Sequence, residues 1–318
     1  MTAREFGAFI CDDDREFCAQ DSRFLFGVVG SERAAIPVVR VNMPMSLSVD
    51  TRNMLGLSGI ERPASLIGGG VGHFWSAAWS HEPDAHGHLH AVRPLLRSAV
   101  REALREGRHA VASSVDAEDI AAFMDVSSTT VTVGAALPHY ILHLRGARSL
   151  PELIAGLSKK ARQTWLRDLR SHEARNLLVQ TAALTAADCA EMADAVVATS
   201  RRNGVQDHAA IAEWRLSGFL TRPGHHVMSR ISNGEEAVAY ACWTDVGADV
   251  VAHTFAVADG VSLHREAYHH AFRASVEYAL SRGADRILFG AAHAAPKRAR
   301  GCLEEPKWTV TYGGSAGA

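Results

Sequence analysis

The chain of 318 residues is short of cysteine, of aromatics and of net charge. Its five cysteines, Cys11, Cys18, Cys189, Cys242 and Cys302, are odd in number, widely spaced and without a Cys-x-x-Cys pair. That argues against a disulfide framework and against a cysteine-based zinc site, and it fits a reducing cytoplasm. A formal charge of -2 excludes a generally basic nucleic-acid binder, so any polyanion must be met by a local patch. No apolar run is long enough to span a membrane. Asp12 to Asp14 stand where a signal peptide needs apolar residues. The expectation is a cytoplasmic protein, a monomer, with no membrane contact. The tail "GGSAGA" is expected to be disordered.

What is present is ordinary globular material, 47% hydrophobic and 21% charged, enough for two domains of roughly 150 residues. The second half has the clearer order. "LLVQT" reads as a strand, and Thr185 with Asp188 forms a capping-box-like pair that opens a helix. A further helix is capped by Asp207. "HVMSRISNGEEAVAYACWTD" is two alternating runs joined by Asn233-Gly234, the signature of a hairpin with a type I′ turn. "DVVAHTFAVAD" continues the meander. A long helix over 262–282, the strand "DRILFG" and a last strand "KWTVTY" follow. The first half offers a hairpin in "RFLFGVVGSERAAIPVVRVN", an amphipathic helix in "AVRPLLRSAVREALREG", and closing strands "TTVTVG" and "HYILHL". These patterns predict an α+β protein of two domains, 1–148 and 149–312, each a mixed, mostly antiparallel sheet flanked by helices.

At the junction lies "LSKKARQTWLRDLR". Helical spacing puts Lys159, Lys160, Arg167 and Arg170 on one arc, beside Arg162, and Leu153, Ile154, Leu157, Ala161, Trp165 and Leu169 on the other. The outer arc reads either as a solvated basic face or as an anion site.

Two passages resemble a known family. "YILHLRGARSLPELIAGLSKKARQ" is similar to the interdomain junction of the Fem family, tandem-GNAT transferases that move an amino acid from aminoacyl-tRNA to an amine. "ADRILFGAAHAAPKRARGCLEEPKW" resembles that family's closing motif, with Gly290, Lys297, Arg300 and Gly301 at its positions. Pro296 stands where members often have an aromatic residue, and no long heptad hairpin is present. That departure favours a compact member, such as those that tailor peptide antibiotics, over a cell-wall enzyme. The resemblance implies two GNAT-like domains, an aminoacyl-tRNA donor, a small peptide or amine acceptor and no cofactor. Lys297 would stabilise the oxyanion of the tetrahedral intermediate. Lys159, Lys160, Arg162, Arg167, Arg170, Arg298 and Arg300 would meet phosphates.

The residues alone leave Lys297 equally readable as a loop lysine in solvent. His264 and Glu266 open the long helix and are candidates for taking the amine's proton. An acyl-CoA user of this fold would carry R/Q-x-x-G-x-G/A before that helix. "VADGVSLHREAYHHAF" holds only Gly260, which disfavours coenzyme A, the alternative donor. A non-catalytic binding module of the same fold stays open. "GGGVG" at 68–72 reads as a turn or bulge. His81, His86, His88 and His90 read as loop histidines, so no metal site is expected.

Overall fold

The computed structural model describes residues 24–313 apart from 31–33, 47–51, 53–55, 68–78, 81–84, 116, 118, 126–129, 174–176, 203–208, 221–224, 235, 247, 261–263 and 292. Asp12 to Asp14, Cys11, Cys18, "GGGVG", His81, the Asp207 cap and the tail beyond Gly313 lie outside the described residues. So do the side chains of His86, His88, His90 and His264, although the backbone of the first three lies in the helix Ala85–Arg105 and not in the expected loop.

The chain divides into two compact units, residues 1–138 with 306–318, and residues 139–305. Each is a mixed, mostly antiparallel sheet flanked by helices, the α+β architecture expected from the sequence. In the first unit β1 (Phe24–Gly30) and β2 (Ala34–Val41) form the predicted hairpin, from Phe24↔Val41 to Gly30↔Ala35. β3 (Ala64–Ile67), β5 (His109–Val115), β14 (Trp308–Tyr312) and β6 (Val131–Ala135) continue the sheet in that order, with β4 (Trp79–Ser80) on β2. Helix α1 (Ala85–Arg105) buries the apolar stripe of Val92, Leu96, Ala99, Val100 and Ala103 in a core with Ile36, Ile67 and Tyr312. A short α2 (Ile120–Met124) joins that core through Phe123.

The second unit begins with β7 (His139–His143), then α3 (Leu150–Gly156), α4 (Lys159–Glu173), β8 (Leu178–Ala183), α5 (Ala186–Arg202) and α6 (Ala209–Leu220). β9 (His225–Ser232), β10 (Ala237–Val246), β11 (Asp249–Val257), α7 (His264–Ser281), β12 (Arg286–Leu288), α8 (Ala294–Ala299) and β13 (Leu303–Glu305) complete it. The strands lie in the order β13-β7-β12-β11-β10-β9-β8, antiparallel except for β11 beside β12. Tyr240 bonds Glu191 on α5, while Trp243 packs its ring 5.4 Å from that of Tyr278 on α7. Residues of opposite parity point to opposite faces, so α5 covers one side of the sheet and α7 the other.

Two local expectations change and one holds. Residues 150–173 are two helices, because Leu157 is extended (φ -80°, ψ 161°) and Ser158 accepts from the Ala161 N–H to start α4. The hairpin forms, but Ser232 pairs with Ala237 across four residues, with a register shift before Ala239, and only Gly234 among the described turn residues has positive φ; Asn233 does not. A type I′ turn, which needs it at both centres, is therefore not formed. Thr185 and Asp188 do cap α5 reciprocally, at 2.8 and 3.3 Å.

The division differs from the 1–148 and 149–312 boundaries. β7 pairs with β12 and β13 in the second sheet, and β14 lies between β5 and β6 in the first. Tyr140, Ile141 and Leu142 are buried in succession, which requires an interior strand with both faces covered. Sequence order says nothing of which sheet supplies the cover.

Candidate active site

β11 and β12 share three parallel rungs, Asp249↔Arg286, Val250↔Ile287 and Val251↔Leu288, and then part. β12 stops there, while Phe289 and Gly290 stay bonded to Tyr140 of β7. β11 runs on to Val257, with His253 as the extra residue of a bulge, since Cys242 faces Thr254 and Trp243 faces Ala252. The fork opens into a cavity of about 760 Å³ walled by α4, α5, β10, β11, α7 and α8.

Lys297 on α8 lines this cavity and is only 6% exposed. Its Nζ donates to the carbonyl oxygens of Phe289 (2.6 Å) and Gly290 (3.1 Å) and lies 5.5 Å from the centre of the Tyr140 ring. Burial draws its pKa down to about 8. Gly290 has φ +65°, which a side chain would strain, and this turn aims the carbonyl. Gly301 has φ +92°, and a Cβ there would meet Leu157 Cδ2 at 2.8 Å. Both motif glycines thus have a backbone reason.

Arg300 also lines the cavity but is 2% exposed. Its Nη2 lies 2.8 Å from Asp168 Oδ2, an ion pair set off the line of a hydrogen bond, and its Nη1 donates to the Pro296 carbonyl at 2.7 Å. The guanidinium sits 5.5 and 5.3 Å from the Tyr268 and Phe272 ring centres. Asp168 Oδ1 lies 3.2 Å from His269 Nδ1, and the Arg300 carbonyl accepts from Trp165 Nε1 at 3.1 Å. Arg300 therefore ties α8 to α4 and α7, with its charge compensated inside the protein.

The other expected phosphate ligands are elsewhere. Lys159, Lys160, Arg162, Arg167 and Arg170 are all exposed along α4, and Arg167 alone of these lines the cavity. Arg170 Nε folds back on the Leu166 carbonyl at 3.2 Å. Arg298 is paired with Glu304, half-exposed, and does not line the cavity. Glu266 sits in the first turn of α7 and does not line it either. His269 does. His270 is buried away from the cavity, its pKa lowered to about 4 by burial and by Arg273.

Sequence reasoning missed three features. Asp168 reads as one more polar residue on a charged helix. His253 occupies what looks like an ordinary slot of an alternating strand, and only the broken alternation of "VVAHTFAV" hints at a bulge. The third is a clamp on β11. The Val257 N–H donates to Thr199 Oγ1 (2.9 Å), and Arg202 Nη2 donates to the Val257 carbonyl (2.5 Å). Because Ala258 N–H bonds Val238 of β10, these Val257 groups point to the open edge. Among the described residues no cluster of three or more His, Cys, Asp or Glu is placed to hold a metal, and no helix is long and apolar enough to cross a membrane.

No protein-family model matches this sequence, and no curated protein matches it. Solved structures do resemble its fold. FemX superposes with a TM-score of 0.63 at 12% identity, over 98% of this chain and 96% of that one. The C-terminal DUF2156 domain of a provisionally named lysylphosphatidylglycerol synthetase from Agrobacterium fabrum gives 0.62 at 10% identity, over 99% and 94%. L-PGS from Bacillus licheniformis gives 0.56 at 10%, over 93% and 85%. At such identities the likeness shows the fold.

Proposed function

We propose that the chain is an acyltransferase, and specifically that it moves an aminoacyl group from aminoacyl-tRNA to the amine of a peptide or peptide-like small molecule. The observation that carries this reading is the charge of the cavity. Among its described lining residues are Arg167, Arg202 and Lys297 and the histidines His253, His269 and His293, with no carboxylate, while Arg300 is already met by Asp168. Such a wall favours an anionic donor. From Arg167 the exposed basic face of α4 leads outward, a surface for the phosphates of an acceptor stem.

The chemistry needs few groups. A neutral amine attacks the ester carbonyl, and the oxyanion requires a donor that is already in place. Lys297 has three N–H bonds; two are held by the Phe289 and Gly290 carbonyls, which fixes the direction of the third. With a pKa of about 8 it is mostly protonated at neutral pH and able to donate.

Two features favour this donor over acyl-CoA. An amide-bearing arm binds well by adding to a free strand edge, and at Val257 that edge is taken by Thr199 and Arg202. The approach to α7 bears Asp259, and its first turn bears Glu266, where a pyrophosphate would want neither. The test is a transfer assay with a panel of short peptides. The donors are total tRNA charged with radiolabelled amino acids and, separately, radiolabelled acetyl-CoA, each with and without ribonuclease. Label should enter peptide from charged tRNA alone and vanish with ribonuclease. Label from acetyl-CoA alone would overturn the reading.

A further inference from the structure

The cavity reading leaves open what takes the proton of the attacking amine. With no carboxylate among the described lining residues, the neutral nitrogens of the wall are the first side chains to consider as acceptor. Lys297 is protonated below about pH 8. His269 turns Nδ1 to Asp168, whose charge is already met by the Arg300 guanidinium, so the pair belongs to the buried tie between α4, α7 and α8. His293 has its pKa lowered by burial and by Lys297, which weakens it as a base.

His253 is placed differently. It forms the bulge just beyond the last rung, Val251↔Leu288, on the prong opposite Phe289 and Gly290, whose carbonyls hold Lys297. Its Nε2 lies 2.7 Å from Thr244 Oγ1, and Thr244 Oγ1 lies 2.8 Å from His226 Nδ1. Thr244 is fully enclosed, and His226 is 8% exposed. The three side chains come from β11, β10 and β9 and share one face of the sheet. A hydroxyl carries one proton and two lone pairs, so when it donates to one of two flanking ring nitrogens it is left to accept from the other. In that arrangement the two facing nitrogens, His253 Nε2 and His226 Nδ1, are protonated in opposite senses, and shifting both protons of the row by one place switches both.

We propose that His253 accepts the proton lost by the acceptor amine and that Thr244 and His226 relay it onward. This rests on the acyl-transfer reading but not on which donor is used. As the C–N bond forms, the amine proton passes to His253 Nδ1. The Nε2 proton of His253 moves to Thr244 Oγ1, and the Thr244 hydroxyl proton moves to His226 Nδ1. The bond from the acyl carbon to the leaving oxygen or sulfur breaks, the leaving group takes one proton from water, and His226 returns its Nε2 proton to solvent. Between turnovers His226 Nε2 regains a proton from water, the two protons of the row shift back, and His253 Nδ1 loses one to water, which restores the starting tautomers. No charge accumulates over the cycle.

The test has two arms. In ¹⁵N NMR of histidine-labelled protein at a pH where both rings are neutral, His253 and His226 should show the paired tautomers that a shared hydroxyl imposes. Thr244→Val should uncouple them, and Thr244→Ser should keep them coupled. If Thr244→Val leaves both rings as they were, the relay does not exist. In the transfer assay, with charged tRNA and with acetyl-CoA as donors, His253→Gln should lower kcat roughly 10²-fold with little change in donor KM. Thr244→Val should lower kcat about tenfold, and Thr244→Ser should recover most of that loss. A His253→Gln enzyme with full kcat on the donor that works would overturn the proposal. Transfer from acetyl-CoA alone would sink the tRNA reading and leave the role of His253 to be judged on that reaction. If neither donor gives product, the tautomers decide.

Discussion

The two faces of α4 hold charge in opposite ways. On the outer face Lys159, Lys160, Arg162 and Arg170 stand in solvent. On the inner face Asp168 and Arg300 are each 2% exposed and face one another at 2.8 Å, between Trp165 and the aromatic rings of Tyr268 and Phe272. An exposed cation keeps its hydration and is available to an incoming phosphate, with little bearing on stability. A buried one has given up water and is held by its partner, so it fixes architecture. Arginine on one chain is thus placed in two ways, and burial separates them.

The sharpest way to break this contrast is at Asp168. Asp168→Ala leaves Arg300 buried without a counter-charge and should cost about 3–5 kcal/mol of stability, read from urea unfolding. Replacing both, Asp168→Leu with Arg300→Met, should cost much less, because no lone charge remains. A loss under about 1 kcal/mol in the single variant would mean that the inner pair is not structural.

Lys297 lies between the two cases, buried yet charged at neutral pH. Lys297→Met should lower kcat by roughly 10²–10³ while donor affinity changes far less, since the interaction forms only as charge develops. Its pKa is about 8 in the folded state, below that of a free lysine near 10.4. The unfolded chain therefore binds more protons between those values, and stability should rise as pH climbs from about 8 to 10, by at most about 3 kcal/mol. The methionine variant should lack this rise. Unchanged kinetics and an unchanged pH profile would make Lys297 an ordinary side chain.

The outer face should give the smallest structural effect. Lys159→Ala, Lys160→Ala and Arg162→Ala together should change stability by under about 0.5 kcal/mol. The same triple change should weaken tRNA binding and flatten its salt dependence by about 0.9 in log–log slope for each phosphate that is no longer neutralised. An undiminished slope would leave the outer face merely solvated.

Much of the fold was legible because its signals are local. The capping of α5 by Thr185 and Asp188, the β9–β10 hairpin and the stripe of α1 follow from residues two to four apart. The motif glycines and Lys297 came from the family resemblance, and the structure sets Lys297 on helix α8 and not in the expected loop. The lysine's hydrogen bonds were not legible, since the carbonyls of Phe289 and Gly290 reach it only once the chain has turned after β12. Arg300 was expected to meet phosphate because its partner sits on another helix, far back in the sequence. His253 was invisible as a cavity residue because a bulge is defined by what the neighbouring strand does.

By itself, then, the sequence determined the identity and order of most elements, the α+β class, and the amphipathic halves of α1 and α4. These depend on short-range periodicity and turn chemistry. Only the tertiary structure decided that β7 joins the second sheet and β14 the first, that the parallel strands fork after three rungs, and which arginines face water. Each of those is settled by partners distant in the chain, as when the Trp165 indole bonds the Arg300 carbonyl across 135 residues. Local pattern fixes which face of a segment must be covered, and long-range packing chooses what covers it.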